Sequence, residues 1–230
     1  MKKRLSILFF LLFINIGLFS KEHAIGKSME RPTNELESRI SYLSQKFDIS
    51  EAAVRLALKG YEKLKELGQI NNNAYLTIID FSKPSNIERF YVIDMIKVQV
   101  IIKTLVAHGK NSGTLIPKEF SNNISSLKSS LGFYVTGNTY LGKHGKSLIL
   151  EGVEKGIKDQ AKNRAIVLHG ASYVNSEIIG DGHTPIGRSF GCPAVPNNKV
   201  KSIIATIKGG TCMFVYAPNS SYMEKSQLAK

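Results

Sequence analysis

The chain has 230 residues, 43% of them hydrophobic and 21% charged, which is typical of a globular protein and excludes disordered, collagen-like and coiled-coil classes. Its two cysteines exclude a disulfide-dense mini-protein. The formal net charge is +13, and the basic residues are scattered along the chain without a cluster. This charge suits an anionic cell-envelope polymer or a membrane surface, and equally general solubility; we predict no nucleic-acid partner.

Residues 1–20 have the pattern of a signal peptide. Lys2, Lys3 and Arg4 form a basic start, and residues 5–19 are an almost unbroken apolar run that is short for a membrane span. Leu18 stands where cleavage favours a small residue, so retention as an uncleaved anchor is the alternative. We see no second apolar run of spanning length. We therefore predict a soluble protein exported to the periplasm or cell envelope, with no stable membrane insertion after signal removal.

Residues 21–72 are predicted to form a linker and a helical segment. Residues 21–34 are polar, whereas residues 35–68 have a helical pattern. Asp48 and Glu51 have the spacing of a capping box, which predicts a helix start, and Gly68 is a natural stop. Apolar residues between them recur every three or four positions along one helix face: Val54, Ala57, Leu58, Tyr61, Leu64 and Leu67.

From residue 75 the pattern changes to short runs rich in β-branched and aromatic residues. Two long polar stretches, 109–131 and 170–197, predict loops, and residues 198–207 predict a short helix. We therefore predict a mainly β fold, a β-sandwich or partly closed barrel preceded by the helical segment, with a domain at 73–218 and a C-terminal tail at 219–230. The predicted strands are 75–80, 89–94, 98–106, 132–136, 147–151, 164–168 and 211–216.

A cysteine and a histidine near the second loop could carry nucleophilic chemistry. Cys192 lies between Gly191 and Pro193, in a tight turn that can expose a side chain, and His169 follows an apolar strand. A thiol is mostly protonated at pH 7, and an adjacent imidazole that accepts its proton produces the reactive thiolate. The N–H groups of Gly191 and Cys192 could hold the oxyanion of an attacked amide carbonyl. This pattern predicts acyl transfer by a Cys/His pair.

The same residues allow other interpretations. Cys192 and Cys212 could form a disulfide, although Cys212 lies in an apolar strand, where a buried and inert thiol is common. A single His after a strand is often structural. His169, Asp181, His183 and Cys192 could in principle bind zinc, but their spacing matches no familiar metal pattern, so we predict no metal and no cofactor.

Five segments in order resemble the L,D-transpeptidase (YkuD-like) catalytic domain family, in particular its murein L,D-transpeptidase catalytic-domain branch. The core pattern of that family is His-Gly followed by Ser/Thr-His-Gly-Cys, which is similar to His169-Gly170 and Ser189-Phe190-Gly191-Cys192 in this chain. The resemblance runs from about residue 75 to residue 217. Its supporting segments are residues 106–113, 129–137, 142–148 and 187–195.

The resemblance implies a β-rich enzyme with Cys192 as nucleophile, His169 as base and the Gly170 carbonyl as the group that orients the imidazole. It implies a peptidoglycan stem peptide as substrate, attacked between its third residue and the terminal D-Ala. Transfer of the acyl group to an amine of another stem gives a 3→3 cross-link, and transfer to water gives L,D-carboxypeptidase activity. A non-catalytic wall-binding module is the alternative from another functional class.

The chain departs from the family pattern around its cysteine. Phe190 replaces the usual His, and Pro193-Ala194 replace the segment that usually holds an Arg or Asn. We predict that Arg188 supplies the carboxylate-binding cation instead; the alternative is that it pins its loop by pairing with Asp181 or Glu177.

Three further polar residues have two interpretations each. Ser189 is predicted to donate to the substrate carbonyl, with shaping of the turn as the alternative. His108 precedes a glycine and is a candidate for lining the substrate cleft or for a structural turn. His144 also precedes a glycine, and for it we favour the structural turn.

Overall fold

The computed structural model describes residues 30–157, 159–179 and 184–230. The chain divides into two compact units, residues 1–37 and 38–230. In the first unit the described residues belong to the start of one helix, and the predicted signal peptide lies outside the described ranges. Within those ranges, no helix has the length and apolar character that a membrane span requires.

Two helices, α1 (Glu30–Phe47) and α2 (Glu51–Glu66), occupy the predicted helical segment, but α1 begins earlier than predicted, inside the stretch 21–34 that was expected to be a linker. The predicted capping box is wrong, because Asp48 has a φ of 55° and lies outside both helices. Its carboxylate pairs with Lys83, with 2.6 Å between Oδ2 and Nζ. The N-cap of α2 is Ser50, whose N–H donates to Asp80 Oδ2 over 2.9 Å, so a strand-end carboxylate holds the helix start.

The sheet has eight strands in the order β3-β2-β1-β8-β4-β5-β6-β7. The pairs β1–β8 and β6–β7 are parallel, and the other neighbours are antiparallel. Among the described strands β3 and β7 form open edges, although Ala107, just after β3, makes an isolated bridge to Ala194 of β7. The predicted mainly β class is confirmed. The strands are β1 (Tyr75–Asp80), β2 (Phe90–Asp94), β3 (Gln99–Thr104), β4 (Gly132–Gly142), β5 (Gly145–Gly152), β6 (Val167–Ala171), β7 (Ala194–Pro196) and β8 (Cys212–Tyr216).

Three strand predictions need correction. β4 continues past the predicted 132–136 to Gly142, because its second half pairs with β5 in a hairpin. β7 falls inside the predicted loop 170–197, because three residues are too few to show an alternating pattern. β6 starts three residues later than predicted, because Arg164 closes a turn by donating its N–H to Gln160 O over 2.8 Å and Ala165 has a φ of 49°. As a result His169 lies within β6, and Arg164 lies in the loop before it.

Three helical elements follow β6 in the part of the chain that the structure describes. They are a short 3-10 helix (Ser176–Ile178), α3 (Asn197–Ile207) and α4 (Ser220–Lys225), which lies in the stretch predicted as a tail. The parallel pairing of β6 with β7 sets His169 opposite Ala194, and the His169 N–H donates to Pro193 O over 3.4 Å. The histidine strand therefore lies beside the turn that carries Cys192.

The contact between α2 and the sheet gives a stability prediction. A Cβ atom on Gly60 of α2 would lie 2.0 Å from Cζ of Phe133, whose buried ring stacks on Phe214 with 4.3 Å between centroids. We expect Gly60→Ala to lower the free energy of unfolding by about 1–3 kcal/mol, although alanine favours helices, because the Phe133 ring has to move. Thermal unfolding measures the effect, with Lys59→Ala on the exposed side of α2 as control. A rise in Tm for Gly60→Ala would contradict the packing.

Candidate active site

A cavity of about 400 Å³ brings Cys192 and His169 together. Its wall combines the tip of the β4–β5 hairpin, the loop before β6, strand β6 and the segment before β7. Arg188 and Ser189 also line it. The remaining lining residues are Tyr140, Lys143, His144, Ser147, Arg164, Ala165, Val167, Tyr173 and Phe190.

The His169 imidazole is held in its neutral form. Its ring is almost fully buried, at 3% exposure, and Nδ1 lies 2.9 Å from Gly170 O. A carbonyl oxygen only accepts, so Nδ1 carries the proton and Nε2 is left with a lone pair. Burial lowers the pKa of His169; the Gly170 hydrogen bond opposes this effect, and the charges of His144 and Lys143 add to it. The imidazole therefore stays uncharged at neutral pH and can accept a proton.

Cys192 is a half-buried free thiol, with Sγ 3.7 Å from Ala165 O. Burial raises its pKa, and the backbone of Val167 and the cations Arg164 and Lys143 offset only part of that rise. The thiol is therefore protonated at neutral pH and needs a base to become a nucleophile.

The second cysteine lies elsewhere in the fold. Cys212 is fully buried in β8 and is also a free thiol, so the structure contains no disulfide between the two. Burial raises the pKa of Cys212 far above its ordinary value, which makes it the inert thiol that its apolar strand predicts.

The turn before Cys192 is held by Ser189. The Ser189 hydroxyl donates to Cys192 O over 2.5 Å and accepts the Gly191 N–H over 3.0 Å. Both groups that we expected to serve the substrate, the hydroxyl and the Gly191 N–H, are thus used within the turn. Among the described residues none accepts the Cys192 N–H, which leaves this group as the candidate oxyanion donor.

Gly191 is required by the geometry of this turn. Its φ of 123° is rare for residues with a side chain. A Cβ atom there would lie 2.9 Å from Lys128 O and 3.1 Å from Nη2 of Arg164. The turn therefore packs directly against the 121–130 stretch, with no space for a side chain.

Arg188 lines the cavity and also anchors a loop. Its Nη1 donates to Lys110 O over 3.2 Å and to Gly113 O over 3.0 Å. Of the acidic partners predicted for it, Glu177 instead interacts with Asn175, and Asp181 lies outside the described residues. The guanidinium is thus fixed at the cavity wall by backbone carbonyls.

His108 is not brought to the cavity. Its ring is completely buried, Nδ1 accepts from Arg89 Nη2 at 2.7 Å, and Nε2 donates to Gly113 O at 3.2 Å. Burial, and then the charge of Arg89, lower the pKa of His108 to about 4. It is a neutral structural imidazole, and because Gly113 O also accepts from Arg188, it supports the loop that holds this arginine.

The sequence analysis missed Arg164, which joins the turn before Cys192 to the 121–130 stretch. Its guanidinium donates to Ser121 O and to Lys128 O, each over 2.6 Å. Burial lowers the pKa of Arg164, and the positive charge of Arg164 lowers the pKa of the Cys192 thiol. An arginine just before an apolar run was the available signal, but the misplaced strand start put it inside β6.

The sequence analysis also missed the tip of the β4–β5 hairpin. The ring of His144 stacks on that of His169, with 4.4 Å between centroids and 22° between planes. Lys143 lines the cavity beside it. Both residues lie in a segment quoted for the resemblance, yet only the pairing of the hairpin with β6 shows where its tip lies.

The structure contains no candidate metal centre in its described ranges. No group of three or more His, Cys, Asp or Glu side chains there could hold an ion. Asp181 and His183, two of the four side chains considered as zinc ligands, lie outside the described residues.

No curated protein sequence matches the chain. Solved structures that resemble the chain include an L,D-transpeptidase from Xylanimonas cellulosilytica. It has 16% sequence identity and a TM-score of 0.36, and the match covers 62% of this chain and 60% of that one. An L,D-transpeptidase from Mycobacterium smegmatis has 13% identity and a TM-score of 0.38, and the match covers 63% of this chain and 59% of that one. A helical cell shape determining protein from Campylobacter jejuni has 13% identity and a TM-score of 0.41, and the match covers 68% of this chain and 53% of that one.

The family assignment rests on a sequence profile rather than on these structures. The chain spans about three fifths of the length of the first two structures. The profile of the L,D-transpeptidase catalytic domain matches residues 45–216, which include the paired strands and the cavity with Cys192 and His169. The chain therefore belongs to the L,D-transpeptidase catalytic domain family.

Proposed function

We propose that this protein is an exported peptidoglycan L,D-transpeptidase in which Cys192 is acylated by a stem peptide and passes the acyl group to an amine. One observation carries the proposal: a free thiol and a neutral imidazole line the same cavity, and the Gly170 carbonyl fixes the imidazole tautomer with Nε2 unprotonated. This is the pair that a protonated, high-pKa thiol needs for acyl transfer.

In the acylation step His169 Nε2 takes the proton from Cys192 Sγ, and the sulfur attacks the carbonyl carbon between the third stem residue and the terminal D-Ala. The resulting oxyanion accepts a hydrogen bond from the Cys192 N–H. When the tetrahedral intermediate collapses, the C–N bond breaks, His169 gives its proton to the leaving amine, and D-Ala departs. A thioester on Cys192 remains.

In the transfer step the amine of a second stem attacks the thioester carbonyl. His169 takes a proton from that amine and returns it to the departing sulfur, which regenerates the thiol. The product is a 3→3 cross-link. Water as the attacking group would release a tripeptide instead, which is L,D-carboxypeptidase activity.

The charges around the cavity suit an anionic substrate. Arg188, Lys143 and Arg164 line its wall, whereas none of the described lining residues is an Asp or Glu. A donor stem ending in D-Ala carries a terminal carboxylate, and a planar arginine fork binds carboxylates through two parallel hydrogen bonds. Export to the periplasm or cell envelope, supported by the signal-peptide pattern of residues 1–20, would bring the enzyme to this substrate.

The proposal is tested by incubating the purified protein with tetrapeptide muropeptides and identifying the products by mass. Cross-linked dimers that have lost one D-Ala are expected, and a free tripeptide would identify the carboxypeptidase. A parallel sample receives a carbapenem, whose strained lactam is an activated amide, and we expect one covalent adduct on Cys192. A protein that forms neither product nor adduct would be the non-catalytic wall-binding module.

The role of Arg188 gives a separate prediction. Arg188→Lys keeps the positive charge but cannot form the two parallel hydrogen bonds that a guanidinium makes to a carboxylate. We therefore expect it to weaken binding of stems ending in a carboxylate about tenfold more than binding of amidated stems. Binding to the Cys192→Ala variant background measures both affinities without turnover, and the Tm is expected to change little. An equal loss for both stems, or a large fall in Tm, would favour loop anchoring through Lys110 O and Gly113 O as its main role.

A further inference from the structure

We propose that His144, at the tip of the β4–β5 hairpin, is a positioning residue that covers the imidazole of His169 and holds its plane for proton transfer. The inference rests on the proposed function, since it assigns His169 as the base. It concerns a residue for which the sequence favoured only a turn role.

The tip of the β4–β5 hairpin lies at the cavity. β4 and β5 pair as far as Gly142 and Gly145, which leaves Lys143 and His144 as a two-residue tip, and Gly145 has a φ of 74°. The register shifts between Thr136 and Thr139, and such bulges bend a hairpin. The tip stays exposed to solvent, and the bend sets the direction in which it points.

The tip is also braced from within. A Cβ atom on Gly142 would lie 2.7 Å from Cε2 of Tyr140, so the Tyr140 ring packs directly across the backbone of the turn. Tyr140, Lys143, His144 and Ser147 of the hairpin all line the cavity. The hairpin is therefore one wall of the candidate active site.

Stacking of His144 on His169 restrains a motion of the His169 ring that its hydrogen bond to Gly170 does not restrain. The Nδ1 contact with Gly170 O sets one edge of the His169 ring, but a ring can still tilt about a single hydrogen bond. The His144 ring lies 4.4 Å away and within 22° of parallel, so it restrains this tilt. His144 is itself exposed, whereas His169 is 3% exposed, so His144 separates the base from solvent on that face.

The groups that face His169 make the effect on its protonation predictable. Burial is the main cause that lowers the pKa of His169, and the charge of His144 lowers it further. Removing the His144 ring reduces both effects, so the pKa of His169 should rise. More of the base is then protonated at a given acidic pH, and the acid limb of the acylation rate moves to higher pH. The titratable or charged groups around the cavity are Tyr140, Lys143, His144, Arg164, Tyr173, Arg188 and Cys192.

The test compares His144→Ala with His144→Phe, because phenylalanine keeps a flat ring over His169 and removes the charge. We expect His144→Ala to lower the plateau rate of carbapenem acylation about tenfold through misorientation of the base, and His144→Phe to restore it to within about threefold. Lys146→Ala, an exposed change on the same hairpin, is the control and should leave the rate unchanged. Thermal unfolding verifies that each variant is folded.

NMR titration of the His169 ring supplies a readout that needs no substrate. Its titration midpoint should rise in His144→Ala and rise less in His144→Phe. Wild-type midpoint and plateau rate in His144→Ala, or equal rate losses in both variants, would overturn the positioning role. If the wild-type protein forms neither a stem-peptide product nor a carbapenem adduct, the proposed function fails, while the titration still decides whether His144 covers His169.

Discussion

Replacing Cys192 with alanine is expected to abolish acylation by tetrapeptide stems and by carbapenems, whereas Cys212→Ala should retain both reactions. The carbonyl carbon needs a nucleophile that leaves again in the transfer step, and among the described cavity-lining residues Cys192 carries the thiol. Intact-protein mass spectrometry after carbapenem treatment detects the adduct directly.

Cys212→Ala is the matched control because it removes the other thiol from the buried strand β8. Its cost should be confined to packing, a loss of about 1–3 kcal/mol in the free energy of unfolding. An acylated Cys192→Ala protein together with an inactive but folded Cys212→Ala protein would reverse the assignment of the nucleophile.

Replacing His169 with alanine is expected to slow acylation at pH 7 by about a hundredfold or more, because the protonated thiol then loses the buried neutral imidazole that accepts its proton. The pH dependence should change as well. Burial holds the pKa of His169 below its ordinary value, so the wild-type rate should reach its plateau on the acidic side of neutrality. Burial holds the pKa of Cys192 above its ordinary value, so the His169→Ala rate should keep rising into the alkaline range as hydroxide forms the thiolate.

The measurement is the carbapenem acylation rate from pH 5 to pH 10, with thermal unfolding to verify the fold. His108→Ala is a useful comparison, because His108 is buried against Arg89 outside the cavity. It should lower stability without introducing the alkaline rise. A wild-type acylation rate at neutral pH in His169→Ala would exclude His169 as the base.

Some features of the fold follow from local sequence alone. The periodicity of α2 and the β-branched runs of most strands were predictable because each element must bury one face or both. β7 was not, because it is a three-residue strand that exists through its pairing with β6. The start of β6 was also misplaced, because the turn at Arg164 and Ala165 depends on a backbone conformation that residue types do not reveal.

The sequence by itself predicted which two side chains carry the proposed chemistry, because His169-Gly170 and Ser189-Phe190-Gly191-Cys192 follow each other in the order of a known family pattern. Only the tertiary structure decided what their neighbours do. His108 and His144 both precede glycine and look alike in sequence, but the first is buried against Arg89 and the second stacks on His169. The Gly191 N–H and the Ser189 hydroxyl look available for a substrate, but they bond to each other. These outcomes depend on contacts between segments far apart in the chain, which strand order and register set and which no local pattern encodes.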